Sequence, residues 1–358
     1  MLIACIALIG MSALWGMSFP IMKSINLIAE HHFGVIDREV STRFQTFNAT
    51  YLVAIRFTFA MLFLVILLPS LVIKATRTEW KAGALIGVFF FFGLIFQVVG
   101  LGTISASRSG FLTSLTAVYT PLLSALILKE RLTWQILCGS LLALVGVAIL
   151  SDVTSLFTNQ DGSGIGAPNR EFPLRWGDLW TTLGALFFSG QVLLVDYFGK
   201  RYESIRLTAG MFLTAALLGW GFLLLIMGGN AFSTSPEWGM DATGVPNASE
   251  LLSLTTHPVF IGLILHLALF GSVVTFVGMN KFQPRLTAGQ ASVIYSTEPV
   301  FASLWAMLLP GFILTLVATG YDNEPFTWQL LIGGLLILCA NVVALLPPRR
   351  NKQPPTKP

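Results

Sequence analysis

Apolar residues gather along the chain into ten blocks of about 20, the length an α-helix needs to cross the hydrocarbon core of a bilayer. The blocks run from Leu2 to Met22, Tyr51 to Ile73, Gly83 to Gly102, Ser109 to Leu128 and Trp134 to Leu150, then from Trp176 to Phe198, Leu207 to Met227, Val259 to Met279, Leu286 to Leu309 and Trp328 to Leu346. Most charged residues fall between the blocks. The pattern predicts an all-α polytopic membrane protein with ten transmembrane helices. No basic residue precedes the first block and no small-residue cleavage site follows it, so it reads as a span and not as a signal peptide.

One stretch occurs twice. Ser109 to Leu150 returns as Thr287 to Leu346: Glu130, Thr133, Trp134, Gln135, Leu137, Gly139, Leu141, Leu142 and Leu144 recur at a constant offset as Glu324, Thr327, Trp328, Gln329, Leu331, Gly333, Leu335, Leu336 and Leu338. Pro121 answers to Pro299 at a shorter offset, so the second copy holds extra residues around Pro310 to Tyr321. Self-similarity of this length predicts two repeats, residues 1–151 and 176–347, joined by an extracytoplasmic linker, 152–175, and followed by a disordered tail, 348–358. Each repeat holds five blocks, an odd number, so the second must enter the membrane from the opposite side. The expected fold is two inverted five-helix repeats.

Composition supports the membrane assignment. Hydrophobic residues make up 54% of the 358 and charged residues 11%, with a mean hydropathy of +0.77, too little charge for a soluble surface of this size. The net charge of +4 does not signal a nucleic-acid partner, because the Lys and Arg sit beside apolar blocks as topology signals do. They crowd one set of connections, with Lys74, Arg77, Lys81, Lys129, Arg131, Lys200, Arg201, Arg206, Lys281 and Arg285 on the same side as the basic tail. By the positive-inside rule that side is cytoplasmic and holds both termini. Cys5, Cys138 and Cys339 lie inside apolar blocks with no metal spacing, and no P-loop, H-E-x-x-H or G-x-S-x-G is present. No metal or cofactor is expected, and an enzymatic role lacks its residues.

Three patches carry a resemblance to a known family: Leu14-Trp15-Gly16-Met17-Ser18-Phe19 with Lys23, Arg56-Phe57, and Pro121 to Gly146 with Glu130-Arg131-Leu132-Thr133. Glu298-Pro299-Val300-Phe301-Ala302 and Gly333-Gly334-Leu335-Leu336-Ile337 add to it in the second half. The chain resembles the EamA-like permeases of the drug/metabolite transporter superfamily over nearly its whole length. The resemblance implies export or exchange of small metabolites across a bacterial inner membrane without ATP hydrolysis.

Ionisable groups inside apolar blocks are the sharpest chemical signal, since a charge in hydrocarbon persists only where it meets a cavity or a partner. Glu298 lies midway along the ninth block beside Pro299, on one helical face with Tyr295, Ala302 and Trp305; it reads as a cavity or proton-coupling carboxylate, or as a structural hydrogen-bonding group. Arg56 meets a substrate anion or snorkels to headgroups, and Asp196 stands four residues before Lys200 as an ordinary ion pair. His266 is alone in the eighth block, a second proton-coupling candidate against a plain interhelical hydrogen bond. Ser109, Thr113, Thr116, Thr120 and Ser124 form a hydroxyl stripe that lines a transport path or packs helices. Trp15, Ser18 and Gln191 share the expected cavity level, and Pro20, Pro121 and Pro299 are hinge candidates.

The functional expectation is a secondary transporter of amino-acid-like or drug-like solutes, with five helices of one half rocking against five of the other around a midplane cavity. Its partners are a small-molecule substrate, the lipid bilayer and a proton as candidate coupling ion. The alternative is a polytopic membrane enzyme acting on lipid-linked substrates.

Overall fold

The computed structural model describes residues 1–34, 42–101, 112–130, 132–150, 176–232, 246, 248–317 and 322–346; the expected linker and tail, with Ser109, Arg131 and Tyr321, lie outside them. Every described element is helical, and no strand occurs among the described residues. The chain runs through α1 (Leu2–His32), α2 (Thr42–Leu67), the short α3 (Pro69–Ile73), α4 (Arg77–Leu101), α5 (Thr116–Leu123), α6 (Trp134–Leu150), α7 (Trp176–Gly199) and α8 (Leu207–Phe232). After these come α9 (Ala248–Thr255), α10 (Pro258–Ala268), α11 (Thr275–Phe282), α12 (Ala288–Tyr295), α13 (Glu298–Ala306), α14 (Leu309–Leu316) and α15 (Trp328–Leu345).

Among the described residues seven helices are long and apolar enough to cross a membrane, and α12–α13 together with α14 make an eighth candidate bent by 49°. Two shorter apolar helices, Thr116–Leu128 and Trp134–Ile149, fall on the fourth and fifth apolar blocks. Helical geometry is what these sequences must adopt in hydrocarbon, where every backbone N–H and C=O needs a partner inside its own segment.

The ninth block departs from the continuous helix its hydropathy suggests. It breaks first at Ser296 and Thr297, where the hydroxyls of Ser292, Ser296 and Thr297 donate to the carbonyls of Gly289, Val293 and Ile294 at 2.9, 2.5 and 2.7 Å. Such back-bonding competes with the helical ladder, and Pro299 then removes the N–H that would have answered Tyr295. The second break precedes Pro310, which leaves the carbonyl of Ala306 one turn back without its helical donor. The N–H of Glu324 fills that vacancy at 3.0 Å, and Asn323 accepts from the N–H of Gly311 at 2.7 Å. Asn323 and Glu324, just after the residues added to the second repeat, thus cap a broken helix.

Two other helices widen locally. At the end of α5, Ser124–Leu128 forms a π-helical turn that stops at Lys129, whose backbone is left-handed at φ 56°. Between α10 and α11, Leu269–Val274 forms another. Wide turns of this kind free backbone groups and collect at functional sites.

Packing crosses the boundary between the two sequence halves. The most extensive interfaces join α6 to α15, α4 to both α7 and α8, α2 to α8, and α1 to α13. At the α4–α8 crossing Gly83 faces Gly210 so closely that a Cβ on Gly83 would stand 2.3 Å from the carbonyl oxygen of Leu207, and one on Gly87 would stand 2.7 Å from that of Met211. Small residues four apart let helix backbones touch, which is the main source of helix association where lipid competes equally for apolar side chains. Beside this crossing Phe57, Phe90, Phe212 and Phe276, from α2, α4, α8 and α11, form an aromatic cluster with ring centroids 5.0–6.3 Å apart. Each such contact contributes about 0.5–1.5 kcal/mol beyond its buried area. Each of these extensive helix interfaces joins a helix of the first expected repeat to a helix of the second.

Candidate functional site

A cavity of about 130 Å³ lies between two groups of helices. One wall comes from α1, α2, α11, α12 and α13, through Trp15, Ser18, Phe19, Met22, Arg56, Phe276, Met279, Ser292, Tyr295 and Glu298. The other comes from α4, the turn before α5, α5 itself and α7, through Phe90, Leu94, Gln97, Thr113, Thr116, Phe188, Gln191 and Val192. Each wall therefore mixes residues from both sequence halves.

Arg56 is buried and turned inward; it does not reach toward headgroups. Its Nε donates to Ser272 Oγ at 2.8 Å and one terminal nitrogen donates to the carbonyl of Gly271 at 2.6 Å. Both acceptors belong to the π-helical turn after α10, whose widened ladder is what makes a carbonyl available. A Cβ on Gly271 would stand 2.7 Å from Ser18 Oγ and 3.0 Å from the guanidinium, so a larger residue there would push both side chains from their places. The remaining terminal nitrogen faces only the sulfur of Met22, at 3.7 Å.

Glu298 opens α13 at the helix break, half-buried and facing the cavity. Its carboxylate has no hydrogen-bond or ion-pair partner among the described residues. Arg56 cannot supply one, since its guanidinium is tethered to the π turn. A cation and an anion therefore stand in one cavity without touching.

The rest of the lining is mostly apolar. Trp15 packs edge-on to Phe276 and tilts against Tyr295, with centroids 5.1 and 5.6 Å apart. Tyr295 donates to Gln283 Oε1 at 2.9 Å, and the fully buried Gln283 donates in turn to the carbonyl of Val192 at 2.8 Å. This chain ties α12 to α7, one wall to the other. On the second wall Gln97 Nε2 donates to Thr113 Oγ1 at 2.9 Å.

Of the residues singled out from sequence, Trp15, Ser18, Arg56, Thr113, Thr116, Gln191, Tyr295 and Glu298 come together around this cavity. Thr120 and Trp305 do not line it. Thr120 is fully buried with no partner for its hydroxyl, and the Trp305 indole donates to the carbonyl of Ala13 at 2.9 Å, because the breaks in the ninth block carry it off the face of Tyr295 and onto α1. His266 also lies apart, with its ring 4.9 Å from Phe270 and a buried Nε2 that has no partner. Of the three prolines, Pro299 sits at a helix break, whereas Pro20 and Pro121 lie inside continuous helices. Gln97, Gly271, Ser272 and Gln283 were not anticipated; the one signal for the first three was polar and small residues interrupting apolar blocks, and Gln283, between two blocks, carried none.

A second cavity of about 260 Å³ is lined by Pro121, Ser124, Glu130, Leu132, Ile136, Thr287 and Gly289. Ser124 donates to Glu130 at 2.5 Å, and Lys200 bridges Glu130 at 3.3 Å and Asp196 at 2.7 Å. Partial burial works to lower the Lys200 pKa, but Asp196 and Glu130 outweigh it and raise the group above the ordinary lysine value. These charges are spent on one another.

Comparison with known proteins places the chain. The family model described as the EamA-like transporter family matches residues 2–152 and 175–346. Two proteins of Archaeoglobus fulgidus, each named only as an uncharacterized transporter, are similar: one is 26% identical over 314 residues, covering 88% of this chain and 80% of its own, and the other is 23% identical over 278 residues, covering 76% and 81%. A solved crystal structure aligns over 98% of both chains with a TM-score of 0.60 at 19% identity, which is a likeness of fold.

Proposed function

Because the chain belongs to the EamA-like transporter family, we propose that this multi-pass membrane protein is a secondary transporter that moves small metabolites by alternating access. The observation that carries the reading is the cavity between two helix groups, with an unpartnered carboxylate and a guanidinium on one wall. The bodies that move are then α1 and α2 with α11 to α13 on one side and α4, α5 and α7 on the other. The Tyr295–Gln283–Val192 chain joins them and must break when the cavity opens at that end.

In this reading the seven long helices, the bent eighth and the two shorter ones are ten spans of two inverted repeats. Both termini lie in the cytoplasm, the membrane is the cell inner membrane, and the direction is export or exchange. The solutes are amino-acid-like or drug-like, and Glu298 is the residue best placed to couple a proton. An enzyme acting on lipid-linked substrates would need free reactive groups near the membrane surface, whereas Glu130, Asp196 and Lys200 there are paired among themselves.

Proteoliposomes loaded with a mixture of small metabolites should lose a defined subset when the purified protein is present, without ATP. A protein that releases none above empty liposomes, with either a pH or a concentration gradient imposed, is not a secondary transporter of such solutes. Topology is tested separately. A reporter active only outside the cytoplasm should give signal in loops 151–175 and 228–258 and none after Lys357; signal at the C-terminus overturns the ten-span inverted arrangement.

A further inference from the structure

The geometry points to a site for an anionic phospholipid on the membrane-facing side of α4 and α7: its phosphate lies among Arg77, Lys81 and Arg201, and an acyl chain runs down the apolar stripe beneath them. The site lies outside the central cavity and is independent of what that cavity carries.

Register carries the first part. Close contacts show that α4 and α7 run in opposite directions: a Cβ on Gly190 would stand 2.4 Å from the Phe89 ring, one on Gly184 would stand 2.9 Å from the carbonyl oxygen of Gly93, and one on Gly100 would stand 2.1 Å from Thr181 Oγ1. Carried back from Phe89 and Gly190 to the start of α4, this register brings Lys81 level with Phe198 and Arg77 level with Tyr202, beside Arg201. A hydrogen bond holds that end together, since the N–H of Glu203 donates to Glu79 Oε1 at 3.2 Å. Cations from two elements therefore gather at one corner.

Charge carries the second. The buried Glu79 cannot neutralise them, because its other oxygen accepts from the N–H and hydroxyl of Thr76 at 2.7 and 2.9 Å and Arg206 stands 3.7 Å from the first. The ion pairs among the described residues leave out Arg77, Lys81 and Arg201, all of them exposed. Arg201 lies on the Tyr197 ring, 3.4 Å from its centroid, and donates to the Tyr197 carbonyl at 3.0 Å. Glu203 is an exposed acid beside it, so the corner keeps an excess of positive charge.

The surface below names the kind of anion. Arg77, Lys81 and Leu85 follow at every fourth position and share one face of α4, which Phe92 and Phe96 continue toward the other end. Leu85 is 41% exposed, and the half-buried Phe89, Phe92 and Phe96 are backed by Phe187 with centroids 5.4–5.6 Å away. Lys81 sits about 6 Å deeper than Arg77, one helical turn, so one phosphate at the headgroup level reaches both while its chain covers Leu85. A free inorganic anion would leave the stripe unused. A second copy of this chain on a twofold axis would set the cations against their own kind. A phospholipid meets both halves of the surface.

The test uses the full-length protein in detergent, stripped of lipid and then offered phosphatidylglycerol, phosphatidylcholine of the same chains, or inorganic phosphate, and reads Tm and lipids retained in native mass spectra. Phosphatidylglycerol should raise Tm at lower concentration than phosphatidylcholine, and inorganic phosphate should not substitute for it. Each basic group near an anionic lipid contributes about fivefold, so the combined Arg77→Gln, Lys81→Gln and Arg201→Gln variant should lose at least about tenfold of that preference. The combined Lys129→Gln, Lys281→Gln and Arg285→Gln variant removes the same charge from exposed cations elsewhere and should keep it. Because each variant is compared with itself in the two lipids, a general loss of stability cancels. Equal responses to the two lipids in the wild type overturn the assignment, as do an unchanged preference in the first variant, an equal loss in the second, inorganic phosphate matching phosphatidylglycerol, or a lipid-free dimer that bars it.

Discussion

Replacing Glu298 with glutamine should lower transport by about tenfold or more while leaving the protein folded in the membrane at wild-type level. The side chain has no partner to lose among the described residues, and an amide is cheaper than a carboxylate to hold in a cavity of this kind, so the structure has no reason to fail. What disappears is the counter-charge, and a hydrogen bond to a charged group is worth about 1.5–3 kcal/mol, which is roughly a factor of 10 to 100 in affinity or rate. If the carboxylate also carries the coupling proton, the mutant's residual rate should no longer vary with pH in vesicles at matched protein content. Glu324→Gln is the control. That residue is exposed and contributes its backbone N–H, which glutamine retains, so neither flux nor expression should change. Wild-type flux and a wild-type pH profile in Glu298→Gln would remove the carboxylate from the mechanism.

Gly83→Ala should be among the most damaging single-methyl additions at the described helix crossings. The new Cβ would stand 2.3 Å from the carbonyl oxygen of Leu207, well inside van der Waals contact, and 3.0 Å from the Cα of Gly210, and both atoms are backbone. Neither can turn aside as a flexible side chain would. Overpacking usually costs about 1–3 kcal/mol, and a clash of two helix backbones belongs at or above the top of that range. The mutant should aggregate on size exclusion or melt several degrees below wild type. Gly221→Ala, on the exposed face of α8 with nothing within 4 Å of its added Cβ, should behave as wild type. Equal stability of the two variants would show that α4 and α8 do not meet as described.

The positions of the helices were legible because hydropathy reports length directly, and each of the ten apolar blocks holds helix in its described residues. Which helices touch was not legible. A helix in lipid is apolar all round, so the face that meets protein and the face that meets tails look alike, and the pairing of α4 with α7 and α8 left only a faint trace in the Gly83–Gly87 spacing. Helix breaks were half legible: Pro299 and Pro310 stand in the sequence, yet Pro20 and Pro121 stand there too without breaking anything. The difference lies in the hydroxyls of Ser292, Ser296 and Thr297, which pull the backbone out of register just ahead of Pro299. For Arg56 the sequence left a choice between headgroups and a cavity, and the deciding groups, Gly271 and Ser272, lie more than 200 residues away and reach it only through a widened turn. Local chemistry cannot announce such a partner.

The crossed packing has a consequence for how the protein is made. When the ribosome has delivered α1 to α6, the Gly83 face of α4, the outer side of α2 and the α15-facing side of α6 have all been inserted without their mates, which are not yet synthesised. Lipid must stand in for them, as the two-stage view of membrane folding allows, and the first half waits as separate stable helices instead of closing into an intermediate. Assembly then begins when α7 and α8 arrive to meet α4 and α2, and is completed only when α13 and α15 arrive to meet α1 and α6. A nascent chain stalled before residue 176 should be extractable as loosely associated helices open to protease and membrane quality control, and the two halves expressed as separate polypeptides should each be degraded alone yet survive together.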